Sequence, residues 1–314
     1  MNKVPRPSAH QPLVNPYLAV LVGVFAVSFS ALFVRLCSAP PLIIASYRLI
    51  FTFLLLLPAG LASRFSGIRE MNLRQFLLSA GSGLFLALHF VTWFTSLKYT
   101  SIASSVVIVT TQPVFVVLGS WLFYKEKVPR KAVYGGLLAI SGSFVIGAGD
   151  FRTGMEAFAG DLLALAAAIF ISGYILIGRR LRGSVELSGY TLVTYGASSV
   201  VLAVATLAAR VPFYPYPATD WALFFGLAAV CTVLGHTTFN WALRYVQASV
   251  VSVSILGEPL GAIVWASIFL KEYPTIRQLI GGSIIFTGLF IFTRVSARFN
   301  KSREALTVSA TEAS

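Results

Sequence analysis

The sequence predicts an all-α polytopic membrane protein with ten transmembrane helices, arranged as two inverted five-helix repeats. Three observations predict this fold. Hydrophobic residues make up 57% of the 314 residues and charged residues only 11%, whereas soluble domains carry about 25% charged residues. The apolar residues fall into long runs of about 20 residues, the length of a membrane-crossing helix rather than of a barrel strand. The second half of the chain also repeats the first.

The predicted spans are the apolar runs between charged or proline-containing breaks. They cover residues 16–35, 41–62, 74–97, 101–123, 131–149, 158–178, 187–209, 219–243, 247–270 and 275–294. The first repeat therefore occupies residues 16–149 and the second occupies residues 156–294. Residues 1–15 and 295–314 are predicted to be cytoplasmic tails, and the polar composition of residues 1–15 and 304–314 predicts disorder there. No cleavable signal is expected, because the first apolar run is long and lacks a small-residue cleavage motif.

The internal repeat is visible as identities at a spacing of 146 residues. Between residues 97 and 144, eleven of 48 positions match the residue 146 positions later, against roughly three expected by chance. Because each half holds an odd number of spans, the second copy must enter the bilayer from the opposite side. Inverted repeats around a site at the bilayer midplane are typical of secondary transporters.

The net charge of +13 is distributed as expected for a membrane protein. With the N-terminus inside, the cytoplasmic segments hold 17 lysines and arginines and the outer segments hold six, while Arg48 lies within a span. This bias follows the positive-inside rule and orients the protein. The cytoplasmic basic residues are predicted to contact anionic lipid headgroups, so that nucleic-acid binding is not needed to explain the charge.

Short motifs recur at equivalent places in the two halves. Each half has a proline in its fourth span and an acidic residue in the loop that follows, and the second span carries an Arg-Leu pair. The motifs are Arg48-Leu49, Pro113, Lys125-Glu126, Pro259 and Lys271-Glu272. In these features residues 16–294 resemble the EamA family of the drug/metabolite transporter superfamily. The resemblance implies a ten-helix metabolite carrier of the bacterial inner membrane, often an exporter of amino acids. The YddG type, which exports aromatic amino acids, is one candidate subtype.

Glu258 is a carboxylate in the middle of the predicted ninth span, directly before Pro259. Charges within a bilayer are costly and mark functional sites, and a proline loosens the helix around it. Glu258 is therefore predicted to bind a substrate ammonium group or to carry a proton, with Ser254 one turn away on the same face. The alternative is a hydrogen-bonding role that braces the kink. The repeat partner of Glu258 is Gln112, beside Pro113, which is polar without the charge.

Arg48 is the second charge within a predicted span. Its guanidinium group could bind a substrate carboxylate through two parallel hydrogen bonds. Alternatively, Arg48 pairs with Glu258 or extends toward the outer surface. The sequence does not choose among these roles.

Two histidines lie at nearly equivalent positions of the third and eighth spans. His89 shares a helical face with Trp93, and His236 shares one with Asn240. We expect these faces to form opposite walls of one cavity, although a buried histidine is often only a core residue. A histidine could also couple transport to protons, and Trp93 could stack on an aromatic or cationic substrate or fill a helix interface. No metal site or cofactor is expected, because two histidines alone are a poor ligand set.

Small residues have two predicted roles. Ser105 in the fourth span either lines the pathway or bonds to its own helix. The glycines that recur in the fifth and tenth spans, Gly135, Gly142, Gly281 and Gly288, let helices approach closely. They are predicted to pack the repeats together, and the same pattern also permits a homodimer.

An alternating-access carrier is the function that these features favour. The sequence has no nucleotide-binding motif, so that active transport would use an ion gradient or an exchange partner. The alternatives are an exporter of drugs, nucleobases or other metabolites, or a carrier-derived channel or sensor. A pore would need a filter, a membrane enzyme would need clustered catalytic groups, and a scaffold would need larger loops.

Overall fold

The computed structural model describes residues 14–124, 129–181, 184–242, 255 and 257–312, and in this part of the chain the secondary structure is helical, without strands. The first half begins after the Asn15 side chain, which caps the first helix. Its helices are α1 (Pro16–Ser28), α2 (Ser30–Leu36), α3 (Pro41–Ala62), α4 (Ser66–Arg69), α5 (Leu73–Tyr99), α6 (Ile102–Val109), α7 (Gln112–Tyr124) and α8 (Arg130–Thr153).

The second half contains two π-helical segments in addition to α-helices. Its elements are α9 (Met155–Leu181), α10 (Leu187–Ala208), α11 (Ala218–Gly226), π1 (Leu227–Thr237), α12 (Thr238–Ala242), α13 (Gly257–Trp265), π2 (Ala266–Leu270) and α14 (Ile276–Glu312). The motif residues Lys125-Glu126 and the predicted site residue Ser254 lie outside the described residues.

Seven helical segments are long and apolar enough to cross a membrane. They are Pro16–Leu36, Pro41–Ala62, Leu73–Tyr99, Ile102–Phe123, Met155–Leu181, Leu187–Ala208 and Ala218–Thr237. Two shorter apolar segments follow, Gly257–Leu270 and Ile276–Phe292. The prediction of an all-α, multi-pass membrane protein is confirmed, whereas the count of ten spans and the side on which the termini lie stay predictions.

Two predicted spans are interrupted. The first breaks at Phe29, between α1 and α2, and the fourth breaks at Thr110 and Thr111, between α6 and α7. The second break comes immediately before Gln112-Pro113, where proline prediction indicated only a kink. A proline lacks the backbone N–H that the preceding turn would need, and it is well accommodated in the first turn of a new helix. The chain therefore restarts a helix at Gln112 instead of bending one.

The last helix is longer than predicted. α14 continues to Glu312, well beyond residue 294, where the predicted span ends, and through residues 304–312, which the composition predicts to be disordered. No glycine or proline follows Gly288 in the sequence. With no helix-breaking residue in this stretch, a helix that begins in the membrane can continue outside it.

The helices pair across the two halves in a symmetrical pattern. α3 packs against α10, and both are 22 residues long and start 146 residues apart, at Pro41 and Leu187. α5 packs against α9, and π1 makes the equivalent contact with α1, while α8 packs against α14. Equivalent elements thus exchange equivalent contacts, which places α3, α5, α10 and π1 around the centre of the protein.

The recurring glycines lie where α8 crosses α14. A Cβ atom on Gly135 would lie 2.7 Å from the backbone nitrogen of Phe292, and one on Gly288 would lie 2.4 Å from that of Ala139. A Cβ atom on Gly142 would lie 2.6 Å from the carbonyl oxygen of Gly281. These glycines therefore pack the two repeats of one chain against each other, and a homodimer would need a different surface.

We predict that Gly288→Ala lowers the melting temperature of the purified protein. The added methyl group would clash with backbone atoms of α8, which cannot move without separating the helices, and such overpacking costs about 1–3 kcal/mol. Gly81→Ala is the matched control, since a Cβ atom there meets nothing within 4 Å and alanine favours a helix. A thermal unfolding series in detergent should show loss for Gly288→Ala and no loss for Gly81→Ala; equal melting temperatures would contradict the close crossing.

Candidate functional site

Arg48 of α3 lies at the centre of the helix bundle and is fully buried. Its Nε donates to Thr232 Oγ1 at 2.8 Å, and its Nη1 donates to Ser30 Oγ at 2.7 Å. The guanidinium carbon lies 4.1 Å from the centre of the Phe90 ring, a cation–π distance. Two hydroxyl groups and one aromatic face therefore hold the guanidinium group in one orientation, without a directly bound carboxylate.

The π-helix π1 presents Thr232 to this arginine. Thr232 Oγ1 donates to the Leu227 carbonyl at 3.0 Å, five residues back, while it accepts from Arg48. Thr237 Oγ1 makes the same kind of bond to the Thr232 carbonyl at 3.3 Å. π-Helical turns are rare and often occur at functional sites. The equivalent third span, α5, is a regular α-helix, so that the two repeats differ here.

Glu258 lies in the first turn of α13, directly before the buried Pro259. Its side chain is partly exposed, and it interacts electrostatically with Arg48. No ion pair within 4.0 Å joins Glu258 to Arg48, both of which are described residues; the direct ion pair that the structure shows is between Arg35 and Glu272. The predicted alternative of a direct Arg48–Glu258 pair is therefore not present in this conformation.

The two histidines lie on either side of Phe90. His89 is buried, and its Nδ1 is 2.9 Å from the carbonyl oxygen of Ala167 in α9. The His89 ring stacks on Trp93 with ring centres 5.8 Å apart. His236 of π1 is partly exposed and meets Phe90 edge-on, with ring centres 6.3 Å apart. Because His89 covers one face of the buried Trp93, the stacking surface predicted for a substrate is used within the protein.

The remaining predicted site residues are dispersed. Ser105 is buried and bonds to Ser96 Oγ at 2.6 Å, on the neighbouring helix α5. Gln112 is partly exposed and begins α7, and its carbonyl accepts from Ser172 Oγ at 3.0 Å. Asn240 lies in α12, but its side chain is outside the described part of the structure. The structure thus brings together Arg48, His89, His236 and Glu258 and leaves Ser105 in a helix-to-helix contact.

Three buried donors in this region have no hydrogen-bond partner among the described residues. They are Arg48 Nη2, Trp93 Nε1 and the hydroxyl of Tyr195. Buried polar groups in proteins are almost always paired, so that each exception requires an explanation. The unpaired groups concentrate around Arg48, since Phe94 contacts both Trp93 and the guanidinium group.

Sequence reasoning did not single out Ser30, Phe90 or Tyr195. Ser30 and Phe90 carry no pattern of their own, because a serine and a phenylalanine in apolar spans are ordinary. Tyr195 had a usable signal: it follows Arg48 by 147 residues, the spacing that also relates His89 to His236.

A second polar network ties the two halves together away from the centre. Arg35 Nη2 pairs with Glu272 Oε2 at 3.3 Å, and the other oxygen of Glu272 accepts from the backbone N–H of Ile102. Arg35 also donates to the carbonyl groups of Leu97 and Thr100. Gln278 Nε2 lies 2.9 Å from the hydroxyl groups of Ser101 and Ser104. The ends of α2, α5 and π2 and the starts of α6 and α14 are thereby joined at one face.

Comparison with known proteins decides the family. The sequence model of the EamA-like transporter family matches residues 15–148 and again residues 158–294. The chain belongs to the EamA-like transporter family. The two matches correspond to the two repeats, and the resemblance inferred from the sequence motifs is confirmed.

Curated relatives are transporters. The chain is 27% identical to the pseudopaline exporter CntI of Pseudomonas aeruginosa over 249 residues, which cover 77% of this chain and 81% of the relative. It is 25% identical to an uncharacterized transporter of Archaeoglobus fulgidus over 286 residues, covering 88% and 96% of the two chains. A solved crystal structure superposes with a TM-score of 0.64 and 20% identity, covering 90% of this chain and 98% of the other. That likeness shows the fold alone.

We predict that Thr232→Val destabilises the protein, because it leaves the Nε of a buried arginine without its acceptor, at a cost of about 1–3 kcal/mol. Thr191→Val is the matched control, since the hydroxyl of Thr191 bonds only to carbonyl groups of its own helix at Leu187 and Ser188. Thermal unfolding of the two variants in the same detergent compares them directly. A Thr232→Val protein as stable as Thr191→Val would show that the bond contributes little.

Proposed function

We propose that this protein is an alternating-access carrier that exports amino acids or closely related small metabolites across the bacterial inner membrane. The observation that carries the proposal is the meeting of Arg48 and Glu258, one from each repeat, without a direct ion pair between them. An amino acid carries one carboxylate and one ammonium group and can complement both charges. The partly exposed Glu258 and His236 offer the surface at which a substrate would enter this cluster.

Two further features support the proposal. The pseudopaline exporter of Pseudomonas aeruginosa is a relative whose name states export, which favours the outward direction. The guanidinium group of Arg48 is bordered by Phe90 and Phe94, so that aromatic amino acids are candidate substrates. Drugs, nucleobases and other metabolites remain the alternative substrate class.

Glu258 is the residue that we propose for proton coupling. The charged and titratable groups around it come from three elements: Arg48 from α3, His89 from α5 and His236 from π1. A carboxylate that exchanges a proton for a substrate ammonium group would link export to the proton gradient. In this scheme Arg48 stays charged throughout and disfavours a second cation.

The Arg35–Glu272 network is proposed to hold one face of the carrier closed. In inverted-repeat carriers one face opens while the other closes around a fixed central site. The network joins α2 of the first repeat to π2 of the second, and the distribution of basic residues places this face outside. Release of the substrate outward would then require these contacts to break.

The first test is uptake into liposomes by purified protein, with aromatic, aliphatic and cationic amino acids and a nucleobase as labelled substrates. We expect saturable flux of an amino-acid class that responds to an imposed pH gradient, and Glu258→Gln should carry flux that no longer responds. Glu156→Gln is the control, since Glu156 is exposed at the start of α9. Proton dependence retained in Glu258→Gln would exclude Glu258 as the coupling residue, and saturable flux of the nucleobase alone would favour the alternative class.

We predict that Glu272→Gln lowers the maximal flux while leaving KM nearly unchanged. The substitution removes the charge that holds Arg35, and partly exposed ion pairs of this kind are worth about 0.2–1 kcal/mol, so that a change of about two- to fivefold is expected. The flux of Glu156→Gln should equal that of the wild-type protein. A Glu272→Gln variant that alters KM instead would place this residue at the substrate site rather than at a closing face.

A further inference from the structure

The guanidinium group of Arg48 is only partly satisfied. Arginine has five N–H donors in a planar fork; Nε and Nη1 bond to Thr232 and Ser30, while Nη2 is buried and has no partner. An unpaired buried donor is unfavourable, and more so when it is charged. The other two nitrogen atoms are fixed by neutral hydroxyl groups, which leaves the positive charge of the arginine uncompensated by direct contact.

Tyr195 provides a second unpaired donor from the other repeat. It lies on α10, the helix that packs against α3 and α5, and it is 1% exposed. Its hydroxyl has no hydrogen-bond partner, although it lies near Thr237 and Tyr174, and Tyr195 interacts electrostatically with Arg48. Each repeat therefore places one buried, unpaired polar group from its second span toward the centre, at positions 147 residues apart.

The chemistry of these two groups selects the ligand. A planar guanidinium edge matches a carboxylate in shape and charge, and a phenol hydroxyl can donate to the same group. The Phe90 ring beneath the guanidinium group, 4.1 Å away, keeps that edge in a fixed plane. A phosphate is a poorer match, because its second negative charge would face Glu258, which interacts with the same arginine.

We propose that Arg48 Nη2 and the Tyr195 hydroxyl form a binding site for the carboxylate of the transported substrate, with Glu258 facing its ammonium group. The substrate is then an α-amino carboxylate, and Tyr195 is a specificity-determining residue. This inference rests on the proposed carrier function and adds the chemical group that the carrier recognises. The donors are closed off in the present conformation, so that the carboxylate reaches them when the repeats move apart.

The competing explanation is structural. Arg48 could pair directly with Glu258 in another conformation, which would satisfy both charges without a substrate carboxylate. The two explanations differ in what they require of the ligand: only a carboxylate site discriminates between an amino acid and the same molecule without its carboxylate. Tyr195 has a part in the first explanation and none in the second.

The test uses the full-length protein in liposomes and two sets of probes that differ only at the carboxyl group. The first set is L-phenylalanine, L-phenylalaninamide and phenethylamine, and the second is the corresponding leucine series. We expect the wild-type protein to transport or bind at least one of the two acids at least tenfold more tightly than its amide or amine. Tyr195→Phe should weaken binding of that acid about tenfold and leave the amide and amine unchanged. Arg48→Lys should weaken the acid further, since lysine keeps the charge without the fork.

Tyr190→Phe is the matched control. Tyr190 lies on the same helix, and its hydroxyl already bonds to Ser82 Oγ at 2.7 Å, so that its removal should not change the preference for the acid. Equal handling of acid, amide and amine by the wild-type protein would overturn the carboxylate site while leaving the carrier function standing. The same conclusion would follow if Tyr195→Phe weakened all three probes equally. Absence of flux for every probe and for the wider substrate panel would overturn the carrier function itself.

Discussion

Burial of the Arg48 charge is the constraint on which the centre of this protein depends. Removing a guanidinium group from water is expensive unless its donors find partners, and here the partners come from separate helices: Ser30 of α2, Thr232 of π1 and the Phe90 ring of α5. Each of these elements must therefore keep its position relative to α3. The same requirement explains why the eighth span is wound as a π-helix at this level, because the Thr232 hydroxyl both accepts from Arg48 and donates five residues back along its own helix.

The two repeats share a framework and differ at the site. The framework is nearly symmetrical: α8 and α14 cross on paired glycines, and α3 and α10 have equal lengths and pack against each other. The chemistry is not symmetrical. Glu258 corresponds to Gln112, and the regular helix around His89 corresponds to the π-helix around His236. Such asymmetry lets a substrate with two unlike ends bind in one orientation, since the charged group at each end has a single counterpart.

The polar contacts between the halves form two levels with different physical character. At the centre, charges and donors are buried and incompletely paired, so that they are available to a ligand. At the face of Arg35 and Glu272 the groups are partly exposed and well paired, with further bonds to the backbone at Ile102 and Thr100. Partly exposed ion pairs are weak individually, and a weak set of contacts suits a face that must open repeatedly.

The sequence by itself determined the membrane location, the helical class and the repeat, because apolar runs of fixed length and identities at a constant spacing are local properties of the chain. It also singled out Arg48, Glu258 and the histidine pair, since a charge or an imidazole within an apolar span is conspicuous. Tertiary structure alone decided which groups contact them: Ser30, Phe90 and Tyr195 become important only through their neighbours. It also decided that Trp93 stacks on His89 and that the fourth span breaks before Pro113. Pairing between distant helices depends on packing geometry, and spacing along the chain does not encode it.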